Sequence, residues 1–267
     1  MLGAIIGDIV GSTREWRNVK TEAFELLPKG SRFTDDSVMT LAVAEWLMAD
    51  PDHREDTLVA RMQHFGRKHF DAGYGGMFAR WLITRNPQPY NSFGNGSGMR
   101  VSPVGLYAQS LDEALELARI SANVTHNHPE GIKGAQAIAG SVYIRKSGSS
   151  AEDIQKFVTE QIGYDLDFRL ENLRDTYTFD VTCQGSVPIA IKAFLERSDR
   201  PAEEALRLAI SMGGDSDTIG AMTASIAAAG QGEGTGFSKE IMDRCHALLT
   251  PDLQDTCDRF EEFIANR

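Results

Sequence analysis

Gly213-Gly214-Asp215-Ser216-Asp217-Thr218-Ile219-Gly220 places two carboxylates and a hydroxyl where a glycine turn gives way to an apolar stretch. Two apart in extended backbone, Asp215 and Asp217 point to one side, and Thr218 joins them if the chain turns helical there. Carboxylate and hydroxyl oxygens suit a hard cation such as Mg²⁺ or Mn²⁺, not a thiolate-seeking metal. The same residues also satisfy a plain capping rule, with Asp217 as N-cap, Ser216 beside it and the two glycines as the turn. Thr34-Asp35-Asp36-Ser37 repeats the chemistry at the head of a second helix, whose Val38, Leu41, Ala42, Trp46 and Leu47 recur at helical spacing. Thr34, Asp35 and Asp36 converge on one point only if the backbone bends, as it does at an N-cap. Either stretch alone reads as a cap. Four aspartates brought together unpaired would be costly or forced to protonate, whereas two divalent cations would cancel their charge. The two stretches together therefore predict a two-metal centre, with Thr34, Asp35 and Asp36 on one side and Asp215, Asp217 and Thr218 on the other.

The elements that must position these residues read as helices. Leu58, Val59, Met62, Phe65 and Phe70 make one apolar stripe, and Leu111, Ala114, Leu115 and Ala118 make another. Ile154, Phe157, Val158 and Ile162 continue the series, with Ser150 and Asp153 as a cap pair. Ile189, Ile191, Phe194 and Leu195 follow, then Leu206, Leu208, Ala209 and Ile210 behind a Pro201 helix start. Two last helices are expected over 241–249 and 253–263. Alternation by twos is nearly absent, apart from an ambiguous run at 177–181. Near the start, Gly7-Asp8-Ile9-Val10-Gly11-Ser12 carries small residues on helical spacing, which lets a helix pack closely against a neighbour or ligand. Glu15 lies in the polar loop that follows, where a solvated glutamate is the plainest reading. Residues 17–32, with Pro28 and Gly30, read as a loop that could close over a site. The expected fold is all-α, a compact multi-helix orthogonal bundle forming a single domain over 1–267, with its site at converging helix ends.

Composition narrows the function. At 267 residues and 29.3 kDa, with 42% apolar and 24% charged residues, the chain can bury a substantial core and is neither disordered nor membrane-like. A formal charge of −11 argues against a broad phosphate-backbone binder, without excluding a modified nucleic acid as substrate. Cys183, Cys245 and Cys257 are odd in number and lack Cys-x-x-Cys spacing, so neither a disulfide framework nor a zinc site is indicated. The apolar opening run has no basic n-region and meets Asp8 early, unlike a signal peptide. A cytoplasmic protein with no membrane partner is expected.

Two loops stand apart from the helical pattern. In Tyr90-Asn91-Ser92-Phe93-Gly94-Asn95-Gly96-Ser97-Gly98-Met99-Arg100, alternating glycines let backbone N–H groups approach a ligand and nest phosphate oxygens. The loop is neither a Walker A nor a Rossmann fingerprint, and a flexible connector fits it too. Tyr90 and Phe93 could stack on a base or simply anchor their own loop. In Thr125-His126-Asn127-His128-Pro129-Glu130, two histidines stand at i and i+2 without a third nitrogen or sulfur ligand, so ligand contact is a better reading than a soft metal. His128 also fits a polar residue beside a Pro-Glu helix start.

Taken in order, these segments resemble the ADP-ribosylglycohydrolase family, relatives of the dinitrogenase reductase-activating glycohydrolase. The matching motifs are Gly-Asp-x-x-Gly-Ser with Glu15 downstream, Thr-Asp-Asp-Ser at 34–37, Gly-Asn-Gly-x-x-Met-Arg at 94–100, and Gly-Gly-Asp-Ser-Asp-Thr-Ile at 213–219, with Thr125-His126 between. The resemblance implies an all-α enzyme with two Mg²⁺, or Mn²⁺, that cleaves the C1″ glycosidic bond of an ADP-ribosylated protein or small molecule. It implies Thr34, Asp35, Asp36, Asp215, Asp217 and Thr218 as metal ligands, with Glu15 as the loop carboxylate near the reacting carbon and Asp36 as its catalytic companion. Gly94, Asn95, Gly96, Ser97, Gly98 and Met99 would hold the diphosphate and adenosine side, with Phe93 near adenine and His126 along the ribose and diphosphate. The family often shows Asp-Thr-Asp-Thr where this chain has Asp215-Ser216-Asp217-Thr218, and the run from Asn127 to Glu130 is less general. Arginine, serine, a base, an acetyl group or a small guanidine-like molecule all suit the motifs as the group carrying ADP-ribose. A catalytically silent ADP-ribose binder or structural relative would keep the loops but need not keep Glu15 and all six ligands; a two-metal phosphoesterase would usually recruit histidine.

Overall fold

Helical periodicity in the sequence becomes helices throughout the computed structural model, which describes residues 1–230 and 236–267. They are α1 (Leu2–Gly11), α2 (Asp35–Ala49), α3 (Glu55–Lys68), α4 (Gly76–Ile83), α5 (Gly96–Met99), α6 (Ser102–Tyr107), α7 (Leu111–Asn123) and α8 (Pro129–Lys146). There follow α9 (Ala151–Lys156), a π-helical turn (Phe157–Ile162), α10 (Leu170–Leu173), α11 (Cys183–Leu195), α12 (Ala202–Ser211), α13 (Ser216–Ala228), α14 (Lys239–Leu248) and α15 (Pro251–Ala265). The expected all-α class holds: no strand occurs among the described residues. The ambiguous run at 177–181 forms neither helix nor strand, and beside it Thr182 makes an isolated antiparallel bridge to Gly94. Thr182 then caps α11, accepting from the Gly185 N–H, so the irregular run ends where that helix begins.

The middle of the molecule is the antiparallel pair of α1 and α13. Both are buried almost all round, as their apolar and small-residue composition requires. Their backbones touch because glycines meet: a Cβ on Gly7 would lie 2.2 Å from the Gly220 carbonyl oxygen, and one on Gly11 would lie 2.4 Å from Asp217 Cα. Any side chain at Gly7 would push the pair apart. This contact sets the end of α1 beside the start of α13. The segment after α1 loops out and returns at Thr34, so the start of α2 arrives at the same place.

Elsewhere local rules predict the boundaries well. Ser150 and Asp153 form a reciprocal capping box on α9, and α14 and α15 begin and end within two residues of expectation. The apolar stripe from Leu58 to Phe70 outruns its helix. Phe70 lies beyond the end of α3 and is 48% exposed, because His69 ends the helix and the chain turns back toward α2. That turn matters to the site, since the Asp35 N–H donates to the Ala72 carbonyl at 3.1 Å. No helix of the described residues is long and apolar enough to cross a membrane.

Candidate active site

At the start of α2, Thr34 takes the N-cap position in extended backbone, and its hydroxyl oxygen accepts from the Asp36 N–H at 3.3 Å. The whole turn is held from beneath by Asp8 of α1, which is fully buried. Asp8 Oδ1 accepts from the Thr34 hydroxyl at 2.7 Å, and Oδ2 accepts from the Thr34 N–H at 2.9 Å and the Ser37 N–H at 3.1 Å. The Ser37 hydroxyl donates to the same oxygen. Burial raises the proton affinity of Asp8, while these four donors lower it. Sequence reasoning had passed over Asp8 except as a motif letter; its signal was one carboxylate inside an otherwise apolar helix.

The start of α13 is built differently. Gly213 and Gly214 have φ of +71° and +73°, the left-handed region that other residues adopt at a cost. Asp215, not Asp217 as capping logic suggested, occupies the cap position, and its side chain makes no cap bond. It is bound instead by Asn95, whose Nδ2 donates to Oδ2 at 2.6 Å. Asp217 and Thr218 therefore fall in the first helical turn, facing the start of α2. There the two halves meet: the Thr218 hydroxyl donates to Asp36 Oδ2 at 3.1 Å across 182 residues of sequence.

Glu15 approaches from the loop after α1. One oxygen from each of Glu15, Asp215 and Asp217 lies within 4.8 Å of the others. The loop is clipped in place by Asn18, whose Nδ2 donates to the Arg14 and Glu15 carbonyls at 2.8 Å each and whose Oδ1 accepts from the Gly214 N–H at 2.9 Å. Lys20 adds donations to the carbonyls of Arg174, Tyr177 and Met212. Part of the loop expected to close over the site is thus tied to the turn that carries Asp215.

All six expected metal ligands and Glu15 line one cleft of about 670 Å³. Gly94, Asn95, Gly96, Met99 and His126 form a second wall. Three residues of the expected substrate set do not line it. The Ser97 hydroxyl turns inward to the Gly131 carbonyl at 2.7 Å, and Gly98 abuts Met222, Val187 and Ile138, because α5 buries that face against its neighbours. Phe93 packs edge-on against His128 with ring centroids 5.4 Å apart; the aromatic ring in the wall is Tyr90, 5.9 Å from His126. His128 itself caps α8, its Nδ1 accepting from the Glu130 N–H at 3.1 Å, as the plainer reading held. Trp16, Met77 and Phe179 stand at the cleft's edge and are exposed, with Trp16 stacked on Phe179 at 5.4 Å. Nothing in their sequence spacing marked them.

The electrostatics of the cleft are one-sided. Burial and then the charges of Asp8 and Asp35 push the Asp36 carboxyl well above the ordinary range, and burial and then Asp215 do the same for Asp217. Asp35 is pushed up to about 7, chiefly by burial and next by Asp8. Glu15 is raised by burial and then by Asp215. Asp215 is raised by burial against the pull of Asn95. Asp36 Oδ1 is buried without a hydrogen-bond partner. An unsatisfied carboxylate oxygen among like charges is what a hard cation would correct, and the donors are all oxygen. The residues fit such a group.

These features define a class by fold and site: an all-α protein with an acidic cleft at converging helix starts. The family model for ADP-ribosylglycohydrolase matches residues 1–267, and the chain belongs to that family. It is 26% identical to the ADP-ribosylhydrolase ARH3 of Mus musculus, over 98% of this chain and 87% of that protein. To the ARH3 of Homo sapiens it is 25% identical, covering 98% and 89%. A solved structure described as an ADP-ribosylglycohydrolase-related protein complex shares the fold, with a TM-score of 0.66 at 24% identity over 96% of this chain and 94% of that one.

Proposed function

We propose that this protein is a metal-dependent hydrolase that cleaves the C1″ glycosidic bond of an ADP-ribosylated protein or small molecule and releases ADP-ribose. The observation that carries the reading is the Thr218–Asp36 hydrogen bond, which joins two acidic helix starts into one centre beside Glu15. Thr34, Asp35, Asp36, Asp215, Asp217 and Thr218 would hold two Mg²⁺ or Mn²⁺ ions. Bound divalent cations supply positive charge to the carboxylate cluster and Lewis acidity toward sugar oxygens.

The chain's own residues supply the rest. Cleavage at C1″ passes through an oxocarbenium-like state, which nearby carboxylates stabilise. Glu15, half-buried and with raised proton affinity, is suited to accept a proton at its carboxylate from the attacking water. Asp36 is held at one oxygen by Thr218, which leaves its other oxygen unpartnered. The turn at Gly94, Asn95 and Gly96, whose first two N–H groups donate to Ser92 Oγ and the Val181 carbonyl, would form with the His126 ring a wall for the diphosphate and ribose. Cys183, Cys245 and Cys257 are free and buried, which accords with a cytoplasmic setting.

A panel of substrates bearing ADP-ribose on arginine, serine, a nucleic-acid base, an acetyl group and a guanidine-like molecule tests this, with Mg²⁺ or with EDTA. Free ADP-ribose that forms only with metal is the expected product. AMP with ribose phosphate would mean phosphoester cleavage, and tight binding without product would mean a silent binder.

A further inference from the structure

Arg100 is among the largest fully buried side chains, 1% exposed, and forms no ion pair with a carboxylate among the described residues. Its Nη2 donates to the Ser121 carbonyl at 2.6 Å and to Thr125 Oγ1 at 2.9 Å. A desolvated guanidinium without an anion is an expensive element to keep. Its use shows in the next contact, where Thr125 Oγ1 lies 2.7 Å from His126 Nδ1. A guanidinium can only donate, so the threonine oxygen accepts from Arg100. Thr125 is fully buried, and the acceptor within reach of its hydroxyl hydrogen is His126 Nδ1. Were Nδ1 to carry a proton and donate instead, that hydroxyl hydrogen would be stranded. The imidazole proton therefore sits on Nε2. Nε2 faces the turn at 94–96: a Cβ on Gly96 would lie 3.0 Å from it and one on Gly94 3.6 Å.

We infer that Arg100 and Thr125 are positioning residues that hold His126 neutral and protonated on Nε2, as a hydrogen-bond donor to an oxygen of the bound diphosphate. The ligand half of this inference rests on the function proposed above; the tautomer half does not. Burial and the Arg100 charge also keep a second proton off the ring, while the other titratable group against it, Tyr90, is pushed up to about 12 and stays neutral. Such a donor neither repels a cation nearby nor varies with pH near neutrality.

Long-range ¹H–¹⁵N NMR of ¹⁵N-labelled protein reads the tautomer without any ligand, with the His126 signals assigned by their loss in His126→Asn. The expected spectrum shows the neutral Nε2–H form unchanged from about pH 5.5 to about 8. Thr125→Val should mix the tautomers and weaken ADP-ribose binding about tenfold by calorimetry, and Thr125→Ser, which keeps the hydroxyl, should restore both. An Nδ1–H or doubly protonated His126 in the unaltered protein would overturn the relay even if the valine variant failed to fold. So would a valine variant with tautomer and affinity unchanged. An intact tautomer in a protein that does not bind ADP-ribose would overturn the ligand half alone.

Discussion

At the start of α2, Thr34 caps the helix with its own hydroxyl and is held from below by Asp8, whose two oxygens take four donors. At the start of α13, Asp215 stands in the cap position without a cap bond, behind two glycines of positive φ; Asn95 holds its carboxylate from the side, and Asn18 holds the backbone of Gly214 before it. The first arrangement is anchored in the core through a buried carboxylate. The second depends on backbone freedom and on amide side chains from other segments. Asn18 also holds the backbone of Glu15, so the Glu15 loop and the turn before Asp215 share one clip. The start of α2 is thus a fixture of the fold, while the start of α13 is coupled to the loop that carries Glu15.

The largest effect is expected on removing a proposed metal ligand from either half. Asp36→Ala and Asp217→Ala should each reduce turnover below detection and abolish tight Mg²⁺ uptake in calorimetry, since the proposed centre needs both halves. Full activity in EDTA with either variant would dissolve the centre altogether. Glu15→Gln should lower kcat by about 10²–10⁴ with the affinity for ADP-ribose kept, as expected for loss of one general base. If binding failed instead while chemistry stayed normal, Glu15 would be a binding residue.

Smaller changes sharpen the contrast between the halves. Asp8→Asn cannot accept from all four donors, and should weaken metal binding about 10–100-fold, as loss of a ligand's support does elsewhere. Asn18→Ala should leave metal affinity alone and lower kcat about tenfold, within the range of a displaced catalytic group. Equal effects of the two on metal affinity would erase the distinction drawn between them. Gly214→Ala would set a Cβ 2.8 Å from the Tyr177 ring at a φ of +73°, and should cost about 1–3 kcal/mol in thermal unfolding.

The smallest expected effect is on stability with pH. Asp35 has a folded-state value of about 7 against an ordinary 3.8, so the native state holds this proton longer than the unfolded chain does. Its contribution is therefore most favourable at low pH and turns unfavourable as pH rises through that interval. In EDTA the melting temperature should fall between about pH 5 and about pH 7.5, and saturating Mg²⁺ should flatten the slope. A metal-free protein with no such slope would mean the cluster is less crowded than its geometry states.

Much of this molecule is written locally. Apolar stripes at helical spacing, the Ser150 and Asp153 box and the acidic turns at 34–37 and 213–218 depend on neighbours within one or two turns, and so can be read from the chain. The all-α class follows from them, as does the suspicion that the two acidic turns belong together. Tertiary structure decided what lies between. Asp8 becomes a support because α1 passes beneath α2, and α1 can pass there because Gly7 and Gly220 let two backbones touch. Tyr90 rather than Phe93 faces the cleft, and Ser97 and Gly98 turn inward, because α5 is seated by the helices around it. A side chain's residue type declares which chemistry it can do, but its direction is set by contacts with segments hundreds of atoms away along the chain, and no short-range pattern records those.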